Sequence, residues 1–143
     1  MKAFLLMLIC IASLYAASVS RDNGNEVVMD YDNNLMWMDN KDTVTKRFTH
    51  KEAKPYCETL LYAGYANWRL PTIEEFQTIV DKRNTKNYIH RAFRYNQAKG
   101  YWALKAHFRT FWFYADFMNF VSGTAYFDNR NVYKFVRCVR TMR

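Results

Sequence analysis

The residues best suited to binding chemistry form a basic region in the second half of the chain. Between Lys82 and Ala115 there are eight lysines and arginines, two histidines and no aspartate or glutamate, whereas eleven of the thirteen acidic residues lie at or before Asp81. The formal net charge of +8 is therefore concentrated here. Such a region favours binding of polyanions such as sulfated glycans, lipopolysaccharide phosphates or acidic polysaccharides, and the alternative is a solvated loop. The predicted ligand-binding residues are Lys82, Arg83, Lys86, Arg91, Arg94, Lys99, Lys105 and Arg109.

Aromatic side chains alternate with these charges from Tyr88 to Tyr114. Most of them are expected in the core. An exposed subset would form a platform on which sugar rings stack, but the sequence does not say which rings are exposed.

Catalytic side chains are present without a recognisable arrangement. Ser122 with His90 or His107 and Asp116 would supply a nucleophile, a base and an orienting carboxylate, yet no nucleophile elbow accompanies them. The adjacent glutamates of the second predicted helix point in different directions and suit two-carboxylate chemistry poorly. The sequence therefore predicts a protein that is not an enzyme and has no cofactor.

Metal ligands have no suitable spacing either. Two distant cysteines and three histidines match no zinc pattern. The spacing of Asp30, Asp32 and Asn34 imitates half of a calcium loop, but Leu35 replaces its glycine and Lys41 its bidentate glutamate. We predict a turn there and no metal site.

The first 17 residues are typical of a secretory signal peptide. Lys2 is followed by an apolar run from Ala3 to Ala17 that ends in small residues. The run is shorter than the ~20 residues of a membrane span, and no later stretch is apolar enough to cross a bilayer. Ile9 before Cys10 argues against lipidation. We expect one domain, residues 18–143, exported to the periplasm or the cell exterior, where nucleic acid is not a natural partner.

Loss of Cys10 with the signal peptide leaves Cys57 and Cys138 in an oxidising compartment. One disulfide is predicted, tying an early helix to the final strand. A reactive thiol or metal pair is the alternative.

Two capping boxes predict the helix starts. Thr49 is followed three residues later by Glu52, and Thr72 by Glu75, each before an apolar helical pattern. Pro71 pushes the preceding residue into extended backbone and makes the second start a sharp corner.

Arg69 stands in this corner between Trp68 and Leu70, which are expected to pack beneath it. The flanking core-type residues favour an ion pair with a buried carboxylate over a surface position.

Several strands are also predicted from alternation and turn residues. They are a hairpin of Val27–Met29 and Leu35–Met38 across an Asx-rich turn, a central strand Phe111–Phe117, a strand Thr124–Phe127 after a Ser-Gly turn, and a final strand Val132–Arg140.

Five segments together resemble the Lcl C-terminal domain family of exported bacterial domains. They are Leu35–Trp37, Ala53–Cys57, Gly64–Thr72, Tyr101–Trp102 and Phe135–Arg140. The resemblance implies an α+β, C-type-lectin-like fold with two helices packed on a curled antiparallel sheet and a helix cysteine bridged to the last strand. Its structural motif residues here are Trp37, Trp68, Arg69, Pro71, Thr72 and Glu75.

The family's namesake adhesin is associated with glycosaminoglycan binding. This chain departs from the family pattern at Ala103–Ala106, where a serine-rich stretch is common, and it lacks the triplets with which C-type lectins hold calcium and sugar. The resulting prediction is an exported binding module for an anionic glycan or envelope polyanion. The alternatives are a structural or protein-interaction subunit of a bacterial envelope assembly, and an enzyme.

Overall fold

A computed structural model of the protein describes residues 18–107 and 113–143, with only the backbone of His107. The predicted signal peptide and Arg109 lie outside these residues. In the described part of the chain, no helix has the length and hydrophobicity needed to cross a membrane.

The chain forms short strands and helices in an α+β arrangement. In order they are β1 (Val19–Asp22), β2 (Val27–Asp30), β3 (Leu35–Met38), α1 (Asp42–Thr45), β4 (Arg47–Phe48), α2 (His50–Glu58), α3 (Ile73–Ile79), β5 (Gly100–His107), β6 (Tyr114–Asn119), β7 (Thr124–Asn129), β8 (Lys134–Phe135) and β9 (Val139–Thr141).

The strands make two sheets, where a single curled sheet was expected. The first has the order β1-β2-β3-β9, and the second has the order β4-β8-β5-β6-β7. All neighbours are antiparallel except β5 and β8. The one-turn helix α1 and strand β1 were not predicted, because each contains a single apolar residue and so shows no hydrophobic periodicity.

Both capping boxes and the hairpin are confirmed. The side chains of Thr49 and Thr72 accept the backbone N–H of Glu52 and Glu75, which reach back to the threonine N–H groups. In the β2–β3 turn the Asp30 carboxylate accepts hydrogen bonds from the Asn33 backbone and side chain. That carboxylate therefore closes the turn, as predicted.

The prediction of one final strand was wrong, because the segment divides between the sheets. Phe135 in β8 pairs with Arg47 and Tyr101 in the second sheet. Val139 in β9 pairs with Trp37 in the first sheet and bridges to Arg69. The three residues between them cross from one sheet to the other, a change of partner that alternation along the chain does not encode.

The predicted strand Phe111–Phe117 is shifted. Strand β6 begins at Tyr114 and continues to Asn119, paired on both sides, while Phe113 is 60% exposed and outside it. Residues 111–112 lie outside the described part. Strand β7 and the turn before it agree with the prediction.

The predicted disulfide is present. Cys57 on α2 and Cys138, immediately before β9, are bonded with their Cα atoms 5.6 Å apart. Both lie in one buried cluster with Trp68 and Trp102, while Trp37 belongs to a second cluster between α3 and both sheets.

Candidate ligand-binding surface

A compact loop after α3 presents the first three predicted basic residues. Val80 bridges to Ile89, and the Asp81 backbone N–H donates to the Tyr88 carbonyl oxygen, so the ends of the loop are closed. The tip carries three exposed cations, which are Lys82, Arg83 and Lys86.

Two arginines among the predicted ligand-binding residues line one depression at this loop, called the hollow below. Arg83 and Arg91 line a depression of about 310 Å³ together with Asp81 and Asn84. Arg83 donates from Nε to the Asp81 carboxylate at 3.1 Å, and this bond lowers the pKa of Asp81. The hollow thus combines two guanidinium groups with one carboxylate and retains an excess of positive charge.

A buried carboxylate holds the next part of the basic region against the core. Asp39 accepts the backbone N–H groups of Arg94 at 2.8 Å and Tyr95 at 3.0 Å, and the guanidinium Nε of Arg21 at 2.6 Å. Its other cationic partner is Arg137, whose Nη1 lies 3.1 Å from Asp39 Oδ1. Both side chains of this second pair are fully buried.

Arg137 binds the same part of the chain from beneath. It donates to the carbonyl oxygens of Met38 and Tyr95, and its guanidinium carbon lies 4.8 Å from the centroid of the Phe93 ring. The side chain of Arg94 is exposed, with its guanidinium carbon 5.6 Å from the Tyr95 ring centroid. Backbone anchoring thus leaves the Arg94 charge facing solvent.

Sequence reasoning missed Asp39 and Arg137 as the residues that position this region. The sequence did contain a signal for Arg137, because this arginine stands between Val136 and Cys138 in an apolar segment. An arginine flanked by core-type residues favours an ion pair with a buried carboxylate, as was argued for Arg69.

The predicted ligand-binding residues do not all lie together on the surface. Lys99 is exposed immediately before β5. Lys105 is exposed on β5, where it lines a different groove from the hollow of Arg83 and Arg91. Arg109 lies outside the described residues.

The groove at Lys105 has a volume of about 520 Å³ and lies between the start of α3 and strands β5, β6 and β7. The described residues of its lining are mainly apolar and include two carboxylates and one ammonium group. The lining residues are Thr72, Ile73, Glu74, Leu104, Lys105, Asp116, Ala125, Tyr126 and Phe127.

Beside this groove, the corner before α3 contains the predicted arginine ion pair. Arg69 donates from Nη1 and Nη2 to the two carboxylate oxygens of Glu75, at 2.6 and 2.7 Å. Burial raises the pKa of Glu75, but the bonds from Arg69 and the Thr72 backbone outweigh burial and leave this pKa lowered. Glu75 is therefore a structural carboxylate.

His50 is a buried histidine in the core beneath β5. Its Nε2 lies 2.8 Å from the Ala103 carbonyl oxygen, and its ring packs edge-on against Trp102. Burial lowers the pKa of His50. Within residues 18–107 and 113–143, no group of three or more His, Cys, Asp or Glu side chains is arranged to hold a metal.

Comparison with known proteins gives one match. A family model described as the Lcl C-terminal domain matches residues 26–140. No curated protein and no solved structure matches the chain significantly. The matched range includes all three helices, the disulfide, the basic region and both sheets, except for β1 and the last residue of β9.

Proposed function

The chain belongs to the Lcl C-terminal domain family, and we propose that it is an exported, non-enzymatic module that binds an anionic glycan or another polyanion of the bacterial envelope. The binding surface is the basic segment, defined as residues 82–99.

One observation carries this proposal: the cations of the basic segment are exposed and mostly unneutralised. Six lysines and arginines between Lys82 and Lys99 are exposed. Among the described residues, Arg83 is the one member of this set with an ion-pair partner, Asp81. A cluster of like charges without counter-charges raises the local concentration of anions.

Anchoring of the segment supports the proposal. Asp39 binds the backbone at Arg94 and Tyr95, and the loop before it is closed by hydrogen bonds of its own. A backbone held in place before binding loses less conformational entropy when the ligand arrives. The charges are thus presented on a preorganised scaffold.

Two further features support export and the absence of catalysis. A disulfide such as Cys57–Cys138 persists in oxidising compartments, which agrees with the predicted signal peptide. Glu75, in the corner beside the groove, has both carboxylate oxygens occupied by hydrogen bonds to Arg69 and is held as a helix cap.

Exposed apolar side chains favour a second candidate, a protein-interaction subunit of an envelope assembly. Leu61 is 82% exposed and Tyr133 is 57% exposed. Such a subunit would dock an acidic partner protein on the basic segment and would not discriminate among equally charged sugars.

The test measures binding of residues 18–143 to immobilised heparin and to a non-sulfated acidic polysaccharide over a salt series. The basic-segment variant replaces Lys82, Arg83, Lys86, Arg91 and Arg94 with glutamine. A matched variant removes five exposed charges elsewhere, by replacing Lys41, Lys46, Arg47, Lys51 and Lys54 with glutamine. Both variants have the same net charge.

We expect the wild type to bind with an affinity that falls steeply with salt, and the matched variant to retain most of that affinity. The basic-segment variant should lose it. Equal loss in both variants would show that net charge alone drives binding, and no binding by the wild type at low salt would end the polyanion proposal. Equal binding to equally charged sugars on a glycan array would favour the protein-docking role.

A further inference from the structure

We propose that the groove between α3 and strands β5 to β7 is a second binding site, for an uncharged sugar of the 2-acetamido pyranose class. The groove has the size and mainly apolar lining of a small-molecule site, with a few polar groups at its edge. This proposal does not depend on the polyanion proposal, because none of the groove residues lies in the basic segment.

Phe127 provides the surface on which a sugar ring packs. Its side chain is 56% exposed, and its ring meets the Tyr114 ring edge-on with the centroids 5.8 Å apart. This contact orients the phenyl face. Ile73 and Ala125 extend the apolar surface and are themselves packed on the core. The C–H face of a pyranose or the methyl of an acetamido group buries apolar area there.

Two exposed charged side chains supply the polar contacts. Glu74 on α3 and Lys105 on β5 both line the groove and are exposed. A carboxylate accepts hydrogen bonds and an ammonium group donates them. An acetamido group has one N–H that can donate to Glu74 and one carbonyl oxygen that can accept from Lys105. Its donor and its acceptor therefore each have a complementary partner in the groove.

Charge separates this site from the basic segment. The two exposed charged groups of the groove's described lining, Glu74 and Lys105, have opposite signs, so together they give no excess of positive charge to attract a sulfated or carboxylated chain. The ligand class is therefore an uncharged sugar, distinct from a polyanion.

The backbone around the groove is held in place before any ligand binds. The backbone N–H of Leu104 donates to the Pro71 carbonyl oxygen at 2.8 Å, which joins β5 to the corner before α3. The pairing of β5 with β6 shifts register between Trp102 and Ala106, so Lys105 lies in an irregular part of the strand. Irregularities of this kind re-aim side chains at binding sites.

The test is a ¹H–¹⁵N correlation titration of residues 18–143 with N-acetylglucosamine trimer at about 10 mM, enough to nearly saturate a site with a Kd of about 1 mM. The matched probe is cellotriose, which has the same β-1,4-linked backbone but hydroxyl groups in place of the acetamido groups. Both titrations are repeated at high salt and with heparin present.

We expect the acetamido trimer to shift the amides of Ile73, Leu104 and Phe127, with little change at high salt or with heparin. Phe127→Ala should weaken binding about tenfold, as loss of an aromatic contact predicts. Tyr133→Ala removes an equally exposed ring outside the groove and should bind as the wild type does. Glu74→Gln should weaken binding without changing the fold, because Glu74 is exposed.

The possible failures are distinct. No shifts with the acetamido trimer would overturn the site, whatever heparin does. Equal shifts with cellotriose would overturn the acetamido assignment, and shifts confined to residues 82–99 would place the sugar on the basic segment. An unchanged affinity in Phe127→Ala would show that the ring is not the platform.

Discussion

At the scale of single residues, two arginines in apolar surroundings have structural roles of different depth. Arg69 and Glu75 form a bidentate pair with side chains 32% and 18% exposed. Arg137 and Asp39 form a fully buried pair. Removing one member of a buried pair leaves an unpaired charge in the core, whereas the partly exposed pair retains access to water. The second pair is therefore the less replaceable.

Replacing Arg69 with lysine tests the bidentate geometry, because lysine keeps the charge but not the planar fork. We expect Arg69→Lys to lower the free energy of unfolding by about 1 kcal/mol, measured by urea denaturation. Arg83→Lys alters an ion pair in which the arginine is 86% exposed and should change stability little. Equal losses in the two variants would contradict a special role for the Arg69 fork.

At the scale of elements, the turn between β6 and β7 supports the base of the compact loop after α3. Gly123 in this turn has a φ of +66°, and a Cβ there would lie 2.7 Å from Cγ1 of Val80. Val80 is the C-cap residue of α3, and it forms a β-bridge with Ile89 that closes the loop. The glycine is thus needed both for its backbone conformation and for close packing, which connects the second sheet to the loop that carries the cations.

Gly123→Ala should therefore cost more than backbone strain alone. Gly64→Ala is the control, since Gly64 also has a positive φ, +80°, but open space around its Cβ position. We expect Gly64→Ala to lower the free energy of unfolding by about 1 kcal/mol and Gly123→Ala by about 2 to 4 kcal/mol. Thermal and urea unfolding measure both, and equal costs would show that the turn yields without strain on Val80.

At the scale of the whole molecule, the disulfide spans 81 residues and joins α2 to the segment that leads into the first sheet. That segment also contains the change of sheet between β8 and β9. The bond therefore closes a loop that includes helix α3, the basic segment and the groove.

Reduction of this bond should lower stability substantially. Loop-closure entropy for so long a loop corresponds to about 4 kcal/mol. We expect a reductant to lower the melting temperature of residues 18–143 and to have no further effect on a Cys57→Ala/Cys138→Ala variant. A melting temperature unchanged by complete reduction, checked by thiol titration, would contradict a stabilising role.

The sequence by itself determined the features that depend on near neighbours in the chain. The capping boxes at Thr49 and Thr72, the Asx turn at Asp30 and the family motifs are each set by residues a few positions apart, so local spacing was sufficient to predict them. The disulfide also followed, because two cysteines in a predicted oxidising compartment leave one pairing.

Only the tertiary structure decided which distant residues meet. Asp39 lies far along the chain from both Arg94 and Arg137, and Lys105 shares its groove with Glu74 and Phe127. A side chain's partner across such separations depends on the order and register of strands, and alternation within each strand does not specify these. For the same reason the sequence showed a basic region but did not separate Lys105 from it, and it could not show that the Phe127 ring is exposed.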